Sequence, residues 1–230
     1  MGKGNRFVRR KPRDAKSLRR RDPRRDSYEV AIILGEGEKT EPNYFREMRD
    51  DLQLNPRNIQ VLDCGGGRDP NTLVDKALEA YEKDPETDRI FLVFDRDNHT
   101  TYDKALERVA AYARRKRNPI PLVAITSTPC FEVWLLLHFQ YTTRPFDYAV
   151  GPNMKGKKRS ACDDVVGLLK RHLPKYEKKD QSIYGQTKGL LDQAMVNAEC
   201  LTRHNRATGT VNPSTRVHRL AAYLTAIAGA

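Results

Sequence analysis

An α/β fold is predicted, built on a mostly parallel sheet of about four strands with helices on both faces and a C-terminal helical extension. Short β-branched and aromatic runs alternate four times with stretches of helical periodicity, the pattern of successive strand, helix and crossover units. Acidic clusters also stand just past the strand ends: Glu36, Glu38 and Glu41 after the first, Asp95 and Asp97 after the third, and Glu132 after the fourth. Open α/β sheets bind their ligands at that carboxyl edge.

The first strand is Tyr28 to Leu34, whose Val30-Ala31-Ile32-Ile33-Leu34 run suits burial on both faces. An amphipathic helix follows from Pro42 to Leu54, and Ile59 to Leu62 is the second strand. The turn Gly65-Gly66-Gly67 leads into a helix with Pro70 at its start and Leu73, Ala77, Leu78 and Tyr81 at helical spacing. Ile90 to Phe94 is the third strand, and Ala105, Val109, Ala110 and Ala113 line the next helix. Pro119 breaks that pattern, and Ile120 to Ile125 makes the fourth strand. A short apolar helix then carries Phe131, Trp134, Leu135, Leu137, His138 and Phe139, and packs against the sheet. Tyr141 to Arg159 is rich in Pro, Gly and Lys and reads as a loop. Helices follow at Ala161 to His172, Lys188 to Arg203 and Ser214 to Ala228.

The charge is uneven. The formal net charge is +12, but residues 1 to 25 hold twelve Lys or Arg against two Asp, leaving only +2 for the rest. An arm carrying Arg9, Arg10, Arg20 and Arg24 has almost nothing apolar to bury, so it is expected to be disordered alone and to neutralise nucleic-acid phosphates. The domain boundaries read from this are a basic arm at 1–26, an α/β domain at 27–140, and a loop with helices at 141–230 packing on the same core. No apolar run approaches a membrane span and no secretory signal is evident, so a cytoplasmic protein with no membrane contact is expected. Cys64, Cys130, Cys162 and Cys200 show no zinc spacing and read as free thiols of a reducing compartment.

Carboxylates brought together repel one another unless a proton or a hard divalent cation offsets the charge. Asp95 and Asp97 are two apart and share a face of an extended strand, and Glu36 joins them if the first and third strands are neighbours. Glu41 falls in the first turn of a helix, where the dipole favours a carboxylate. The pattern points to magnesium, or manganese in its place, and to phosphoryl-transfer chemistry. Gly151 to Lys157 fits the spacing of a phosphate loop, but Lys158 stands where Ser or Thr is required. His138 and Trp134 read as core residues, and Lys175, Lys178 and Lys179 as a solvated face that could also hold a nucleic-acid backbone.

The segments Gly35-Glu36-Gly37-Glu38-Lys39-Thr40-Glu41-Pro42-Asn43-Tyr44-Phe45, Phe94-Asp95-Arg96-Asp97 and Ser127 to Phe139 resemble the RloB-like proteins. The resemblance extends to the basic arm, Lys175-Tyr176 and Asn212-Pro213-Ser214-Thr215. It implies a Toprim fold and a role in bacterial defence against phage by abortive infection, beside a partner ATPase of the AAA or ABC type. The Toprim group, which includes nucleases, places a glutamate after its first strand and Asp-x-Asp after its third, matching Glu36, Asp95 and Asp97. The resemblance thus implies a metal-dependent endonuclease in which Asp95 and Asp97 bind magnesium and Glu36 binds metal or serves as general base. Glu38 or Glu41 is the second acidic residue, and Glu132 binds or orients a second ion. Lys39, Lys155, Lys157, Lys158 and Lys179 are candidates to stabilise charge at the scissile phosphate. DNA and RNA both remain open as substrate, as does the oligomeric state. The alternative is a noncatalytic subunit that binds nucleic acid or a partner.

Overall fold

The computed structural model describes residues 29–65, 69–96, 100–117, 119–146 and 160–229. Its centre is a sheet of five strands in the order β2-β1-β3-β4-β5: β1 (Ala31–Gly35), β2 (Ile59–Asp63), β3 (Arg89–Asp95), β4 (Leu122–Thr128) and β5 (Ser214–Thr215). The first four are parallel, and β5 pairs antiparallel with β4. This is the α/β, Rossmann-like architecture that the alternation of runs predicts.

Every residue of β1 is buried, as a strand covered on both faces requires. Its side chains alternate: Ala31 and Ile33 enter one hydrophobic cluster, Ile32 and Leu34 the other. The second cluster is closed by α2 (Pro70–Lys83) and α3 (Tyr102–Ala113). The first takes α1 (Thr40–Asp51), α4 (Glu132–Leu137), α5 (Ala161–His172), α6 (Ile183–Thr187), α7 (Leu191–Thr208) and α8 (Val217–Ala228). The crossovers therefore cover both faces, with the C-terminal helices all on the α1 side.

Local signals explain where several helices begin and end. Asp69 caps α2 by accepting the Asn71 N–H at 2.7 Å, with Pro70 in the first position. A capping box opens α5: Ser160 Oγ accepts from Asp163 N, and Asp163 Oδ2 accepts from Ser160 N. Gly209 ends α7 at φ 72°, a left-handed conformation that glycine adopts without a Cβ penalty.

Some boundaries differ from expectation. The fourth strand starts at Leu122 and runs to Thr128, since Pro121 has no N–H for the ladder. Ser214 and Thr215 were expected to open the last helix, but they form β5, where Thr215 Oγ1 lies 3.1 Å from Ser127 Oγ and Arg216 N donates to Thr126 O. The last helix starts at Val217, whose N–H donates to Thr215 Oγ1. The helix expected at 188–203 is a 3-10 turn, Lys188–Leu190, followed by α7, and the short α6 before it has too few turns to show a period. Trp134 and His138 are core residues. Among the described residues no helix is long and apolar enough to cross a membrane.

Candidate active site

The sheet's topology makes β1 and β3 neighbours, with Gly35 in register with Val93. The chain continues past β1 with Glu36 N donating to Val93 O, and Glu36 Oε2 in turn accepts the Asp95 N–H at 3.2 Å. Beyond β4, the turn before α4 brings Phe131 N to Asp95 Oδ2 at 3.1 Å and sets Glu132 at the first position of that helix. Glu41 enters from the first turn of α1. Its carboxylate folds back over Gly37 into space that a Cβ there would take, so the observed placement of Glu41 uses the absence of a side chain at 37. Glu38 points out and is exposed, which makes Glu41 the second acid of the first loop.

Four acids thus share one basin at the carboxyl edge of the sheet: Glu36, Glu41 and Glu132 buried, and Asp95 half-buried with its Oδ1 shielded from solvent and without a hydrogen-bond partner. Burial pushes the Glu41 carboxyl up to about 7, with Glu132 and Glu36 adding to the effect against its backbone hydrogen bond and Lys178. Asp95 is raised well above the usual carboxylate range by burial, then by Glu41, Glu132 and Cys162, with only the Phe131 N–H opposing. Glu41 and Asp95 are each held against the charge of neighbouring acids.

The C-terminal extension closes the basin. Tyr176 Oη donates to Glu132 Oε1 at 3.0 Å, and Lys178 Nζ lies 3.4 Å from the same oxygen. Thr40 Oγ1 donates to Lys178 O at 2.7 Å, tying the segment to the start of α1. Burial alone would lower the Lys178 ammonium, but Glu132 foremost, with Cys130, Cys162 and Asp95, raises it instead, so it is a full positive charge. Tyr176 is raised by burial and by Glu132, so its hydroxyl stays a donor.

A family model described as RloB-like protein matches residues 31–224. The chain belongs to the RloB-like family. No curated protein and no solved structure matches it. The match spans every strand and all of the acids just described.

In this RloB-like chain the structure gathers Glu36, Glu41, Asp95 and Glu132 as the carboxyl-edge reading expects. Lys39 and Lys179 are exposed and make no ion pair with these acids among the described residues; Lys178, itself 61% exposed, reaches Glu132 at the rim of the basin. Most of the Lys178 side chain is solvated, as the sequence reading expects, but its ammonium pairs with Glu132, a contact that no period marks. Cys130 and Cys162 were read only as free thiols, yet both are buried beside Glu132. Asp97, Gly66, Gly67, Lys155, Lys157, Lys158, the rest of the 151–158 phosphate-loop match, and Arg9, Arg10, Arg20 and Arg24 lie outside the described residues.

The donor set suits a hard cation. It is all oxygen, Asp95 Oδ1 has no other partner, and magnesium takes one or two protein carboxylates while keeping its waters. Among the described residues the four carboxylates do not close on a point; the trio with ligand atoms all within 4.8 Å is Cys130, Glu132 and Cys162.

Proposed function

We propose that this protein is a metal-dependent phosphodiester hydrolase of the Toprim type, an endonuclease acting on DNA or RNA. The observation that carries the reading is the basin of mutually repelling acids at the ends of β1, β3 and β4, offset by Lys178. A structural role does not call for such an arrangement, because separating the acids would relieve it. Family membership supports the further reading that the enzyme serves phage defence in the cytoplasm, controlled by a partner ATPase.

Asp95 and Glu36 would hold the cation, joined by Asp97 of the Asp-x-Asp pair. Magnesium or manganese supplies Lewis-acid polarisation of a phosphoryl oxygen when bound. Glu41, whose carboxyl is pushed up to about 7, matches neutral pH as the base that takes the proton of the attacking water. As the new phosphorus–oxygen bond forms, the ester bond to the leaving oxygen breaks and that oxygen takes a proton from solvent. Lys178 stabilises the negative charge that builds on the phosphoryl group, while Glu132 and Thr40 hold it in place. The arm adds salt-dependent affinity for the polymer.

The test is calorimetric titration of magnesium and manganese into the wild type and Asp95→Asn, followed by incubation with mixed DNA and total RNA. Cation binding and cleavage should be lost together in Asp95→Asn. Lys178→Met should keep cation binding and lose about 10²-fold in cleavage rate, the usual effect of removing one group that stabilises transition-state charge. Full cleavage by Asp95→Asn refutes the scheme; cation binding without cleavage of either polymer points to a missing activator, and no cation binding by the wild type assigns the chain to a noncatalytic binding subunit.

A further inference from the structure

The two thiols beside the basin have no part in that chemistry. Cys130 Sγ, Cys162 Sγ and a carboxylate oxygen of Glu132 all lie within 4.8 Å of one another, and all three residues are buried. Two separate elements bring them together. Cys130 lies in the turn between β4 and α4, and Cys162 in the first turn of α5, which the Ser160–Asp163 capping box fixes. Two sulfurs bound to a tetrahedral zinc ion at about 2.3 Å stand roughly 3.8 Å apart, so small side-chain shifts close this trio on one ion. The Asp95 carboxylate is the candidate fourth donor: it interacts with both sulfurs electrostatically and its shielded Oδ1 has no hydrogen-bond partner, but it stands outside the 4.8 Å trio and must move to bind.

We propose that Cys130, Cys162 and Glu132, with Asp95 as the fourth donor, form a binding site for a thiophilic divalent cation of the zinc class. Sulfur ligands exclude magnesium from it and favour zinc or cobalt. Binding releases the two thiol protons. Because binding displaces those protons, affinity rises with pH. Because Glu132 and Asp95 also belong to the carboxylate basin, a zinc-class ion draws both toward the sulfurs and competes with the hard cation. Zinc is therefore an inhibitor of whatever reaction the basin performs. The site itself does not depend on that reaction being hydrolysis.

Cobalt(II) titrated into the full chain tests it. Near-ultraviolet sulfur-to-cobalt charge-transfer absorption should saturate at one equivalent. It should persist when Cys64→Ser and Cys200→Ser remove the other two thiols, and vanish in Cys130→Ser and in Cys162→Ser. Asp95→Asn, the variant that tests the hydrolase reading, retains both sulfurs and should keep the band at weakened affinity, so the two readings fail separately. If the serine variants do not fold, X-ray absorption of the zinc-loaded wild type decides, with two sulfur neighbours expected at about 2.3 Å. A cobalt spectrum without charge transfer, a band lost with Cys64 and Cys200, or a zinc shell without sulfur overturns the proposal.

Discussion

Glu41 concentrates the electrostatics of the site in one side chain. Its carboxyl stands at about 7 in the fold against 4.5 ordinarily, so the folded protein holds a proton that the unfolded chain releases. A carboxyl raised in this way contributes stability that is fully present below pH 4.5 and is lost as pH climbs through about 7. Metal-free wild type should therefore lose up to about 3 kcal/mol relative to Glu41→Gln between those limits, measured by urea denaturation across pH. His138 works in the opposite sense: burial lowers its imidazole to about 4, so its contribution is lost as pH falls below 6.5. Comparison with Glu41→Gln removes that background. A difference that does not change with pH would mean Glu41 is not held in the buried basin. The sequence left Glu38 and Glu41 as the two candidates for the second acid of the first loop, and burial over Gly37 selects Glu41 while Glu38 is exposed.

At the scale of elements, the site depends on how loops and helix starts are fixed. The capping box of α5 satisfies backbone donors at its first turn, beside Cys162. Ser160→Ala should cost about 1 kcal/mol, seen as a lower urea midpoint at unchanged slope. An unchanged midpoint would show that the box is not formed in solution. The span of this helix was legible, since the helix expected at Ala161–His172 is the one observed. β5 was not legible, because two residues have no period and their pairing with Ser127 and Thr128 is entirely long-range. The Lys178 contact was not legible for a related reason: residues 175–180 form no regular element, so only the Tyr176–Glu132 hydrogen bond and the Lys178–Glu132 ion pair show which side chains meet the acids.

In the whole molecule, one hydrophobic cluster runs from Ala31 in β1 to Leu224 in α8, so the C-terminal helices share the core that positions the acids. Charge is divided differently: residues 1 to 25 carry +10 of the net +12. Deleting them should weaken nucleic-acid binding and reduce the steepness of its salt dependence, measured by fluorescence anisotropy at several salt concentrations. An unchanged salt slope would remove the arm from the interface. By itself the sequence determined the strand and helix alternation and the placement of acids past the strand ends. Strands buried on both faces must be continuous apolar runs, and charge is tolerated only where they stop. Only the tertiary structure decided that Lys178 and Tyr176 close the basin, that Cys130 and Cys162 meet at Glu132, and that a fifth strand joins the edge. Each of these contacts joins segments far apart in the chain, and no local periodicity records the path between them.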